Sequence, residues 1–221
     1  MFDELLAHPG VEEISVLRSS RLGFMAFHGG SLEQVTDDVA VAAAERSGSS
    51  VYAVVQPVDF RWHVPSAQID PVHSTTLAAF LDHVDVAVAV HGFGRHGLFT
   101  SLLLGGQNRD LAAHLATHLR PGLPEYEIID TLDGIPPELR GLHPDNPVNR
   151  PRGAGVQLEL PPRVRGLGPF WAEADHVGRA PHTEALIDAL ADAARAWSTA
   201  REPGPTDGDE TGAPGRVDPG A

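Results

Sequence analysis

The chain has 221 residues, 42% hydrophobic and 21% charged, which is ordinary globular usage and excludes a collagen-like chain, a coiled coil and full disorder. Its net charge is −14 and all 16 basic residues are arginine, so no nucleic-acid partner is expected, because such binding needs a positive surface to neutralise phosphates. The absence of cysteine excludes disulfide frameworks and thiol chemistry, so any metal must be held by His, Asp and Glu.

The first ten residues carry Asp3 and Glu4 where a secretory signal would be basic, and no run approaches the roughly 20 apolar residues of a membrane span. The expectation is a cytoplasmic chain with no membrane partner. Short apolar runs predict strands at 23–27, 51–55, 84–90, 126–130 and 155–160. In the third, Val84, Val86, Val88 and Val90 alternate with Asp85, Ala87 and Ala89, the period of a strand. Helical periodicity falls at 33–45, 111–119 and 183–197, the last with Leu186, Ala189, Leu190, Ala193, Ala194 and Trp197 along one face. Strands interleaved with helices predict a single α/β domain over 1–200, a mixed twisted sheet flanked by helices. Two long irregular stretches, 57–72 and 132–151, carry Phe60, Trp62 and Leu142 as expected anchors, and ordered loops of that length tend to be functional. Residues 201–221 are Gly-, Pro- and acid-rich, with five acids against two arginines, and read as a disordered acidic tail.

Position selects among the 12 histidines. His28 and His91 each follow an apolar strand directly and each precede glycine, and in open α/β sheets ligands gather outside the carboxyl ends of strands. Glu33 follows His28 by five residues in HGGSLE, across a Gly-Gly turn. His28, Glu33 and His91 together make a His2Glu set, the ligand class of catalytic zinc with a fourth position open. The plainer reading makes both histidines solvent-facing strand ends and Glu33 a helix-start acid. In GVQLEL, Gln157 and Glu159 share one strand face, so Glu159 is either a rigidly held base or an edge carboxylate facing water.

Other motifs carry less. His114 and His118 in HLATH are four apart, but Leu115 stands where zinc metalloproteases have their general-base Glu, so both read as surface histidines. Ser31 and Ser74 have no nucleophile spacing, and the Gly105-Gly106 turn is not followed by the lysine of a phosphate loop. Arg150, Arg152, Arg163 and Arg165 flank the Glu159 strand, and Arg109 opens a helix. Arginine suits bidentate capture of carboxylates, and surface pairing in an acid-rich chain is the alternative.

Five stretches in order resemble the poly-γ-glutamate hydrolase family of phages and bacteria, related in fold to the zinc carboxypeptidases. They are FMAFHGGSLEQVTDDVA (24–40), DPVHSTTL (70–77), VAVHGF (88–93), LLGGQNRDL (103–111) and NRPRGAGVQLEL (149–160), and the similarity runs from about residue 23 to residue 197. The resemblance implies that His28, Glu33 and His91 bind one zinc ion per chain and that Glu159 is the general base. It further implies that Arg150, Asn108 and Arg109 hold a substrate carboxylate or carbonyl and that His73 lines the site. The implied partner is an anionic, peptide-like substrate with γ-glutamyl amide bonds. Another zinc amidohydrolase or carboxypeptidase-type deacylase on the same fold is the nearest alternative, and a non-catalytic binding module the next. Residues 94–98 match nothing in the family pattern.

Overall fold

The computed structural model describes residues 1–168 and 178–199, so the expectation for 201–221 lies outside the described residues. Among the described residues five helices, α1 (Phe2–Leu6), α2 (Thr36–Ser47), α3 (Thr75–His83), α4 (Arg109–Gly122) and α5 (Pro181–Thr199), surround a seven-stranded sheet. The strands are β1 (Glu12–Val16), β2 (Leu22–Gly30), β3 (Ser50–Gln56), β4 (Val86–Gly92), β5 (Ser101–Leu104), β6 (Glu127–Ile129) and β7 (Gly155–Leu160), in spatial order β1-β3-β2-β4-β7-β5-β6. β3, β2, β4 and β7 run parallel, whereas β1 pairs antiparallel with β3 and β5 antiparallel with β7. The sheet is therefore mixed, as the sequence predicts.

Helices cover both faces of the central strands, which explains why β2 and β4 are buried almost throughout despite the period-2 pattern of β4. On one face α2, α4 and α5 pack over Phe24, Val51, Val88, Val156 and Leu158. On the other, Met25, Phe27, Tyr52 and Ala89 meet Phe2, Leu5, Leu77 and Phe80 from α1 and α3. Val64 and Ile69 join this second cluster, with Phe60 and Trp62 against it, so the irregular stretch 57–72 is pinned to the core. Each Phe or Leu fully buried there contributes about 1.5–3 kcal/mol. Leu142, expected as a second anchor, instead stands on a cavity wall and is 38% exposed.

Three boundaries differ from the sequence reading in ways that matter. β2 and β4 extend past their apolar runs to include His28 and His91, because both histidines are buried and still carried by the ladder. α2 begins at Thr36, three residues after Glu33, because Val35 takes a left-handed φ of 76° that no helix interior tolerates. β1 and β5 were not signalled: β1 is an edge strand carrying Glu12 and Glu13, and β5 has only four residues. No helix among the described residues is long and apolar enough to cross a membrane.

Candidate active site

The parallel strands β2, β4 and β7 end at one edge of the sheet, and there the structure brings together His28, His91 and Glu159. The register sets His91 directly beside Glu159 on the neighbouring strand. Glu33 arrives by local geometry. A bulge after Ala26 shifts the end of β2, so that Gly29 and Gly30 pair with Val55 and Gln56. Gly30 then adopts φ 70°, where any Cβ would lie 2.1 Å from the Gln56 carbonyl oxygen, so glycine is required. The turn closes with the Glu33 backbone N–H donating to the His28 carbonyl at 2.8 Å, which returns the carboxylate over the strand end.

Glu33 lies between the two imidazoles: His28 Nδ1 is 2.8 Å from Oε1, and His91 Nδ1 is 3.5 Å from Oε2. The Gly92 N–H also donates to Oε2, at 2.8 Å. His28 Nε2 is 2.9 Å from the Val64 carbonyl oxygen, and a carbonyl only accepts, so Nε2 carries the hydrogen and Nδ1 is turned toward Glu33. Val64 is delivered by the 57–72 loop, which Gln56 grips at both ends of the Trp62 backbone (Trp62 N–H to Oε1, 2.7 Å; Nε2 to Trp62 O, 2.9 Å).

One ligand atom each from His28, Glu33 and His91 lies within 4.8 Å of the others. The set is suited to a divalent metal: two imidazoles and a carboxylate converge in a buried spot, and the buried His91 Nε2 has no hydrogen-bond partner among the described residues. The electrostatics agree. Burial pushes the Glu33 carboxyl up, but the charge and hydrogen bond of His28, joined by those of His91, outweigh it and hold Glu33 well below the usual carboxylate range. Burial works to lower His91, yet the Glu33 hydrogen bond and the charges of Glu33 and Glu159 raise it above the ordinary imidazole value. Glu159 moves the opposite way from Glu33: burial raises it, with His91 opposing and Glu33 reinforcing.

Glu159 is held by a relay that sequence reasoning did not assign. Gln157, two residues earlier on the same face, donates from Nε2 to Glu159 Oε1 at 2.7 Å, and Asn146 donates from Nδ2 to Gln157 Oε1 at 2.7 Å. The shared face of GVQLEL was a signal for Gln157; nothing in the sequence pointed to Asn146. His63 was also missed. Its ring lies 4.7 Å from that of His28, and burial lowers its pKa. These residues open onto a cavity of about 720 Å³, walled by the loops around Ser66 and Leu142.

The remaining sequence candidates stand elsewhere. Asn108 caps α4 by accepting from the Leu111 N–H at 2.8 Å and donates to the Gly153 carbonyl at 2.8 Å. Arg109 spends its guanidinium on the backbone carbonyls of Leu104, Gly105, Gly106 and Asp130. Both therefore brace the 105–108 turn, and neither lines the cavity. His73 is exposed at the end of the 3-10 turn Pro71–His73, also off the cavity. Arg150 lies near Asp145 and Asp70, Arg152 pairs with Asp85, and Arg163 with Glu125, so these arginines serve surface pairs. Arg165 is buried: its guanidinium packs over Gly92, where a Cβ would come within 2.5 Å, and donates to the Gln34 and Phe93 carbonyls. It thereby ties the segments that follow Glu33 and His91. His114 and His118 are half-buried on α4, with His114 Nε2 2.9 Å from the Ala193 carbonyl oxygen of α5.

The capping role of Asn108 has a measurable consequence. Asn108→Ala should lower stability by about 1–2 kcal/mol in urea denaturation. A drop in stability with KM unmoved identifies a cap, and a raised KM at unchanged stability restores a substrate contact.

The solved structure of a bacteriophage poly-gamma-glutamate hydrolase superposes with a TM-score of 0.70 at 20% identity, covering 86% of this chain and 91% of that one. YndL in its zinc-free form superposes with a TM-score of 0.65 at 16% identity, covering 83% and 89% respectively. A putative carboxypeptidase from Burkholderia mallei ATCC 23344 matches more loosely, with a TM-score of 0.49 at 11% identity over 89% of this chain and 65% of that one. No curated protein gives a significant sequence match. The sequence profile of the poly-gamma-glutamate hydrolases, however, matches residues 3–190, and over that span the chain is a member of this hydrolase family.

Proposed function

We propose that the chain is a zinc-dependent hydrolase that cleaves γ-glutamyl amide bonds in poly-γ-glutamate or a related carboxylate-rich amide. The observation that carries this reading is the convergence of His28, Glu33 and His91, within 4.8 Å of one another, beside the buried Glu159. His28, Glu33 and His91 would hold a single zinc ion. When bound there, zinc supplies a Lewis acid that polarises a carbonyl and brings the pKa of a water toward about 7.

Glu159 acts as general base. Its Oε1 is occupied by the Gln157 amide at 2.7 Å, so proton transfer falls to Oε2. It takes the proton of the attacking water and passes it to the departing amine nitrogen as the C–N bond breaks, leaving a carboxylate and an amine. Burial suits this role, because a carboxyl raised above its ordinary value is a stronger base.

The test is cleavage of a γ-linked glutamate oligomer by tag-free protein, before and after chelation and zinc return. Turnover lost on chelation and restored by about one equivalent of zinc per chain supports the reading. A fully zinc-loaded, folded chain that leaves the oligomer intact while cleaving an N-acyl amino acid would replace it with a deacylase.

A further inference from the structure

The geometry points to a carboxylate-exchange subsite at the mouth of the cavity, formed by Arg95 with Glu138 as its resident occupant. This rests on the proposed γ-glutamyl substrate and names the group that recognises its carboxylates. Among the described residues that line the cavity there is no arginine or lysine, whereas Glu33, Glu138 and Glu159 are all carboxylates. A polyanionic substrate entering such a cavity needs a cation at its edge, and the arginines expected from sequence are committed elsewhere.

Arg165 packs over the lining residue Gly92 but is buried and spent on the Gln34 and Phe93 carbonyls, whereas Arg95 is an exposed guanidinium paired with a carboxylate of the wall. It lies in the 93–100 connection between β4 and β5 and pairs with Glu138 of the 3-10 turn Pro137–Leu139. The two loops are held in fixed relation by one small apolar cluster, in which Phe93 and Leu98 from the first pack with Ile135 and Leu139 from the second. Phe93 begins two residues after His91, so the same connection joins the metal-site strand to the mouth. Both partners of the pair are open to solvent, at 45% and 54% side-chain exposure. An exposed ion pair is weakly held, so a substrate carboxylate can take the place of Glu138 at little cost. Arg95 meets Glu138 through one terminal nitrogen, and the planar fork of arginine accepts a substrate carboxylate at the same place. Glu138 thus holds the guanidinium beside the cavity wall until substrate arrives, and competes with it.

The experiment measures equilibrium binding by calorimetry in zinc-loaded, full-length Glu159→Gln protein, so that nothing is consumed. Two probes are compared: a short γ-linked glutamate oligomer and the same oligomer with its α-carboxylates converted to amides. Arg95→Gln should weaken the carboxylate oligomer about two- to fivefold and leave the amidated one unchanged, the loss expected for an exposed ion pair. Glu138→Gln should tighten the carboxylate oligomer about two- to fivefold, by removing the competitor. Binding changed less than about twofold by Arg95→Gln, or weakened equally for both probes, overturns the subsite. If wild-type enzyme nevertheless cleaves the oligomer, the γ-glutamyl reading survives that result. If the parent protein binds neither probe, both fall together.

Discussion

Glu159→Gln is expected to lower turnover of γ-glutamyl oligomers by about two to four orders of magnitude, the range for loss of a positioned general base. The substitution is close to isosteric, and Gln157 can still donate to the new amide oxygen as it does to Glu159 Oε1 at 2.7 Å. What disappears is the group that accepts a proton. Because Glu159 is outside the His28, Glu33 and His91 set, zinc content should stay near one per chain. Steady-state kinetics with metal analysis on the same preparation checks both. Turnover within about tenfold of wild type would assign the base to another residue.

His91→Ala should instead remove the metal. Structural zinc in small sites is worth about 10–16 kcal/mol over its ligands, so loss of one in three forfeits roughly a third, or about two to four orders of magnitude in affinity. The variant should lose zinc on dialysis and activity with it. The loss is confined to the site in a chain that remains folded, because Glu33 keeps its 2.8 Å contact with His28 and its 2.8 Å hydrogen bond from Gly92. Circular dichroism separates this outcome from unfolding. Stoichiometric zinc in folded His91→Ala protein would mean that the ligand set is different.

These two residues also show how far the sequence could be read. His28, His91 and Glu159 each sit at or near the end of an apolar run, and strand polarity alone carries such residues to one edge of a parallel sheet. Glu33 was legible by proximity, five residues on across two glycines, although the helix assigned to it begins only at Thr36. Arg109 and Asn108 mark the limit of such reading. A guanidinium or an amide beside a glycine turn reads the same whether it meets a ligand or the chain's own backbone, and here four carbonyls and a helix end claim them.

Composition and pattern by themselves determined the α/β class, the lack of thiol chemistry and the acidic character, and left His28, Glu33 and His91 as one of two readings. These follow from local properties: residue type, period and spacing. Only the tertiary structure decided that Gln157 and Asn146 brace Glu159, that Val64 orients His28, and that Arg95 pairs with Glu138 of the cavity wall. Each of those contacts joins segments whose meeting depends on strand order and loop packing, because side chains reach across space only after the sheet has set which chain ends are neighbours.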